Sequence, residues 1–124
     1  MSQTHLGTGR SGEKLARSYL EQRGLQTVEM NWRCSAGELD LVMLDDDVLV
    51  FIEVKTRKTY QAGSAEESVS PAKARRLLAT GDWYVNEHPE HESRFWRIDI
   101  MAITMGGDGT VQRLTHIPNA ISSG

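Results

Sequence analysis

Gly37-Glu-Leu-Asp-Leu-Val-Met-Leu-Asp-Asp-Asp-Val-Leu-Val-Phe-Ile-Glu-Val-Lys55 decides the fold of this 124-residue chain. Both ends are apolar, rich in β-branched residues, and separated by the polar turn Asp45 to Asp47, which predicts two strands joined as a hairpin. The second, Val48 to Val54, is apolar at almost every position, the pattern of a strand covered on both faces. It nevertheless ends in Glu53 and Lys55, two residues apart and therefore on one face. A central strand accommodates a carboxylate and an ammonium there only if something compensates for them.

The turn sets the register. If Asp46 and Asp47 form a two-residue turn, Asp45 faces Val48 and Asp40 lies across from Glu53, with Cβ atoms about 5 Å apart. Like charges so placed destabilise a sheet, and a divalent cation between them reverses the sign of that interaction. A slip by one residue would send Asp40 to the opposite face. The alternative is bland: Asp40 and Glu53 as strand-end residues in water, with Lys55 as their ion-pair partner.

Outward from the hairpin the chain is orderly. Met1 to Arg10 is polar and Gly-rich and reads as a mobile lead-in, followed by a single domain over residues 11–121. Ser11 is the expected N-cap of a first helix carrying Leu15, Ala16, Tyr19 and Leu20 as its apolar stripe, with Gly24 as its stop. Glu13 falls in the first turn, where a carboxylate complements the helix dipole. Lys14 and Arg17 form a solvated helix face or a phosphate contact. Leu25 to Arg33 predicts a strand with Val28, Met30 and Trp32 on one face, and Cys34 a small buried side chain. In the hairpin itself Leu39, Leu41 and Met43 share a face, opposite Glu38, Asp40, Val42 and Leu44; Glu38 belongs at the rim of a cleft.

Beyond the hairpin, Thr56 to Val69 is a polar connection. Ser70-Pro71 opens a second helix, cap followed by the proline favoured at its first position. Its stripe includes Gly81, which costs about 1 kcal/mol against Ala unless the helix packs closely there. His88 to Ser93 is a loop, and His88-x-x-His91 has the spacing of a metal pair without further ligands. Arg94 to Ile103 and Val111 to Ile117 are the last strands, with Asp99 expected to pair with Arg97 or Lys55. The element order is α-β-β-β-α-β-β: an α+β (α/β) core with one mixed sheet of about five strands and helices on its faces.

Net charge is −3, so a wholly positive nucleic-acid-binding surface is excluded, but between Lys55 and Arg76 the basic residues Lys55, Arg57, Lys58, Lys73, Arg75 and Arg76 face only Glu66 and Glu67. A single cysteine precludes an internal disulfide and fits a reducing compartment. With no apolar run near the roughly 20 residues of a membrane span and no apolar leader, the expectation is a cytoplasmic protein without a membrane partner. No Gly-rich phosphate loop and no nucleophile–base pair points to a general metabolic enzyme.

Asp40 followed on the next strand by Glu53-Val54-Lys55 resembles the signature of the PD-(D/E)xK nuclease superfamily, with its restriction-endonuclease-like core. Gly12-Glu13-x-x-Ala16, Asn31-x-Arg33-Cys34, Gly37-Glu38-Leu39-Asp40-Leu41, Val50 to Arg57, Val69-x-Pro71-x-Lys73, Arg97 to Ile100 and Ile117-x-Asn119-Ala120 make the chain similar to the YraN-type endonuclease-like family, from about Gly12 to Ile121. That family is similar in site layout to archaeal Holliday-junction resolvases. Leu39 stands where the superfamily name has proline, a position that varies widely. The resemblance implies a phosphodiesterase with Glu13, Asp40, Glu53 and the Val54 carbonyl on Mg²⁺ or Mn²⁺, and with Lys55 assisting the attacking water. Arg57, Lys58, Lys73, Arg76 and Lys14 would hold the backbone of a nucleic acid, DNA ahead of RNA, recognised by shape such as a branch. A homodimer would suit two-strand cleavage, although no seam marks it. The rival reading is a non-catalytic nucleic-acid-binding or partner-binding module on the same fold.

Overall fold

The computed structural model describes residues 9–58 and 69–121. The first eight residues of the expected lead-in, residues 59–68 of the connection and the last three residues lie outside these. Helix α1 (Gly9–Gln22) is followed by β1 (Gln26–Cys34), β2 (Gly37–Asp45), β3 (Val48–Lys58), α2 (Pro71–Glu87), a short 3₁₀ turn (Pro89–His91), β4 (Trp96–Met105) and β5 (Val111–Ile121). The strands form one mixed sheet in the order β1-β2-β3-β4-β5, antiparallel except for the β3–β4 pair. This is the α-β-β-β-α-β-β order and α+β class that the apolar patterning predicts. Among the described residues no helix is long and apolar enough to cross a membrane.

β3 is apolar from Val48 to Ile52 because helices cover both its faces there. Val50 and Ile52 join Ala16 and Leu20 of α1, together with Leu41, Met43 and Met101. Leu49 and Phe51 join Leu77 and Tyr84 of α2, together with Leu39, Val42 and Ile98. Side chains alternate across a strand, so a strand between two helices has no face left for water.

Several boundaries differ from the sequence expectation. α1 begins at Gly9, which places Ser11 inside the helix and not at its cap, and makes the last two residues of the expected lead-in helical. Its end is as expected. Gly24 adopts φ +99°, its N–H donates to the Glu21 carbonyl, and the Leu25 N–H donates to the Leu20 carbonyl. This is the paired hydrogen-bond pattern of a Schellman stop, with Leu20 and Leu25 both in the core on the α1 side of the sheet. β3 continues to Lys58 and β5 to Ile121, each longer than its apolar run, because β4 supplies backbone partners along its full length. Cys34 is half-exposed.

The expected alternation of β1 and β2 fails at one point. Met30 and Leu41 pack with α1, whereas Trp32 and Leu39 pack with α2. Each pair is two residues apart and should share a face. Between them Asn31 takes φ +54°, a left-handed conformation that Asn tolerates better than most residues, and the chain rotates there so that the side chains beyond it emerge on the other side.

α2 starts as predicted: the Ser70 hydroxyl accepts the Lys73 N–H at 3.2 Å, with Pro71 next in line. Gly81 is the point of closest approach to the sheet. A Cβ built there would lie 2.7 Å from a Trp96 ring carbon and 3.0 Å from Phe51. Gly81→Ala is therefore expected to lower the thermal unfolding midpoint, since overpacking costs about 1–3 kcal/mol and outweighs the gain in helix propensity of about 1 kcal/mol. A midpoint equal to or above wild type in a melting experiment would contradict this packing.

Candidate functional site

The hairpin turn has the register that brings Asp45 opposite Val48, and the β2–β3 ladder runs from that pair to Leu41 opposite Ile52. Asp46, first in the turn, sits at φ +54°. Past Leu41 the ladder stops. β2 stays with β1 through Leu39, Glu38 and Gly37, while β3 stays with β4 as far as Lys58. The two halves of the sheet part at the next position, which is Asp40 on one side and Glu53 on the other. There the Asp40 carboxylate accepts the Val54 N–H at 2.8 Å, replacing the lost backbone bond with a side-chain one.

Glu13 approaches from α1. A Cβ on neighbouring Gly12 would lie 2.8 Å from Thr56 Oγ1 and 3.7 Å from a Val54 methyl, so the bare backbone at Gly12 lets the helix rest on β3 beside the split. The Glu13 side chain, buried, accepts from the Asn31 amide at 2.6 Å. Asn31 is thus the residue that sequence reasoning left without a role. It creates the kink in β1 and tethers the α1 carboxylate. The signal was an Asn, poorly suited to a strand, in the middle of an alternating run.

Glu53 pairs with Lys73 from the first turn of α2, Nζ to Oε2 3.2 Å. Its side chain is 13% exposed, against the bland reading of strand-end residues in water. Glu38 lies 3.6 Å from Arg33 at the rim. Lys55 follows Glu53 on β3 and lowers the cost of its charge. Lys14, Arg57, Lys58 and Arg76 are exposed, on α1, the far end of β3 and α2. Lys73, expected to hold phosphate, is committed instead to a carboxylate of the site.

The acids feel one another. Burial raises the Asp40 carboxyl most, Glu53 raises it next, Glu13 and Glu38 add to this, and the Val54 N–H only partly offsets them, so that Asp40 titrates at about 7. Glu53 is also raised, chiefly by burial and in part by Glu38, against the opposing pull of Lys73 and then Lys55. As placed, no three His, Cys, Asp or Glu side chains among the described residues converge closely enough to hold a metal ion. Each acid is held by a partner within the protein instead: Asn31, Arg33, the Val54 N–H or Lys73. The donor set is nonetheless hard oxygen in excess of positive charge, the chemistry that suits Mg²⁺ or Mn²⁺.

Two other sequence candidates are engaged elsewhere. His88 Nδ1 meets the Tyr84 carbonyl at 2.7 Å, and His91 Nδ1 accepts from Arg94, so they do not form a metal pair. Asp99 is fully buried and does pair with Arg97, as one of the two expected partners. It also accepts from His116 Nε2 at 2.7 Å and from the Asn119 N–H, and Arg97 reaches on to Asp45. Burial pushes Asp99 up, but His116, Arg97 and the Asn119 N–H outweigh it and leave its carboxyl below the usual range.

A sequence model described as uncharacterised protein family UPF0102 matches residues 12–103. A UPF0102 protein of Mycolicibacterium gilvum is 44% identical over 117 residues, covering 92% of this chain and 93% of its own length. One from Roseiflexus castenholzii is 40% identical over 110 residues, 89% of each chain, and one from Stutzerimonas stutzeri 40% over 116 residues, 94% and 95%.

Half-buried Asp40 and buried Asp99 give opposite pH signatures. Asp40 is raised above the ordinary carboxylate value of about 3.9, so the folded state retains a proton that the unfolded chain has released. Its contribution to stability therefore falls as pH rises from about 4 to about 7 and is flat above that. Asp99 is lowered, so its contribution is present above about pH 4 and lost on further acidification. Asp40→Asn keeps an acceptor for the Val54 N–H but removes the charge. In urea titrations across pH it should lessen the decline between pH 4 and 7, leaving the part that the raised Glu53 carboxyl contributes, and be at least as stable as wild type at pH 8. A wild-type slope in the variant, or a loss of stability at pH 8, would contradict the assignment.

Proposed function

The chain belongs to the UPF0102 family, the YraN-type group with a PD-(D/E)xK-like core, and we propose that it is a metal-dependent phosphodiesterase acting on nucleic acid, with structured or branched DNA as substrate. The observation that carries this is the crowding of Asp40, Glu53, Glu13 and Glu38 at the point where β2 leaves β3, which adds to the larger effect of burial in raising Asp40 to about 7. A fold with no use for a cation gains nothing from burying that repulsion.

In this reading Asp40 and Glu53 hold Mg²⁺ or Mn²⁺ from adjacent strands. Glu13 is the third carboxylate, and the Val54 carbonyl offers a further oxygen. When bound, the ion supplies Lewis acidity at the scissile phosphate and acidifies water. Lys55 orients the attacking water or stabilises the charge that develops on the phosphate oxygens; the second task needs only its ammonium form. Asn31 keeps Glu13 turned toward the split. Arg57, Lys58, Arg76 and Lys14, all exposed, would hold backbone phosphates, contacts that give placement without sequence readout. Selection of the substrate then falls to its shape.

One observation favours the rival, a binding module without chemistry: every carboxylate already has an internal partner. The two readings separate in a cleavage assay with Mg²⁺ or Mn²⁺ on a four-way junction, a flap and a linear duplex. The nuclease reading expects cleavage of a branched substrate, lost in Asp40→Asn by more than the roughly 10–100-fold that removal of an outer-shell partner costs. Metal-independent DNA binding with no cleavage of any of the three would favour the module.

A further inference from the structure

We propose that Lys73 is a built-in counterion of the metal site, which a divalent cation must displace from Glu53 and thereby hands to the substrate phosphate; this rests on the metal reading above. The Lys73 ammonium lies 3.2 Å from Glu53 Oε2, on a carboxylate that is 13% exposed, so it occupies a position on Glu53 that a cation needs. The pairing is built from the backbone outward. Ser70 caps the Lys73 N–H and Pro71 opens the helix, which fixes the first turn of α2, the turn from which Lys73 reaches Glu53. Lys73 itself is 39% exposed, so its flexible stem can carry the ammonium toward solvent without disturbing the core.

The energetics favour an exchange. A singly charged ammonium offsets one carboxylate, whereas Asp40, Glu13 and Glu38 remain nearby in excess. A divalent ion bridging Asp40 and Glu53 neutralises more of that charge, and the released lysine is left beside a cation-bearing site, where an anionic phosphodiester is the natural next partner. Lys73 is thus a positioning residue with two states. Metal and phosphate binding become linked through it, each favouring the other.

The test is calorimetric titration of Mn²⁺ alone into wild type, Lys73→Met and Lys73→Arg. Removal of the competing charge should tighten Mn²⁺ binding about 5-fold or more in Lys73→Met, while Lys73→Arg restores wild-type affinity. In melting experiments the metal-free Lys73→Met protein should melt below wild type and gain more from saturating Mn²⁺. Should the Met variant not fold, Lys73→Gln, which keeps an N–H for Glu53 without the charge, answers the same question. Binding by Lys73→Met with none by wild type also supports the exchange. Equal or weaker binding by the variant overturns it and leaves the metal reading standing. Silence from all the proteins overturns both.

Discussion

A single hydrogen bond marks where the sheet divides: the Val54 N–H donating to the Asp40 carboxylate. Backbone pairing between β2 and β3 has ended one residue earlier, and an unpaired buried N–H costs about 1–3 kcal/mol. A side-chain acceptor at this position lets the hairpin of β1 and β2 swing away from β3 without that loss. The gap that results exposes Glu53 to the α2 lysine, admits Glu13 from α1, and keeps all of them partly out of water. The remainder of the fold serves this split. Helices on both faces hold β3 rigid, Gly81 lets α2 lie close on the sheet, and Gly12 does the same for α1.

The acids at the split are partnered, but their charge is not offset. Each acid has a partner, yet the partners are an amide, a backbone N–H, a half-exposed lysine and a rim arginine. None matches a pair of facing carboxylates as a divalent ion does. The contrast with Asp99 is instructive. That carboxylate is more deeply buried, but it meets an arginine, a histidine and a backbone N–H, and is stabilised in its charged form. One aspartate is a closed structural network; the other is a site under strain from its neighbours.

Much of this was legible in the residues. The apolar run Val48 to Val54 announced a strand covered twice, and the aspartate turn carried the register. Ser70-Pro71 announced the second helix. The end of the β2–β3 ladder was not legible, because apolar patterning says which face a residue takes and not where two strands part company. Asn31 hid the change of face in β1 for a related reason: one left-handed residue inverts every later position, and alternation rules assume that none occurs. Lys73 was expected on a phosphate and not on Glu53, because its distance from Glu53 is set by how α2 lies on the sheet, a tertiary fact. The residues beyond Ile117 looked polar and terminal, yet β4 recruits them into β5.

The central claim is that Asp40 and Glu53 together form a seat for a hard divalent cation. The most direct measurement is an anomalous difference map, recorded at the manganese edge, of crystals grown with Mn²⁺. The account predicts a peak between the two carboxylates, about 2.0–2.3 Å from oxygens of both, with the Lys73 ammonium moved off Glu53. A map without a peak at the split, Lys73 still seated on Glu53, would contradict it.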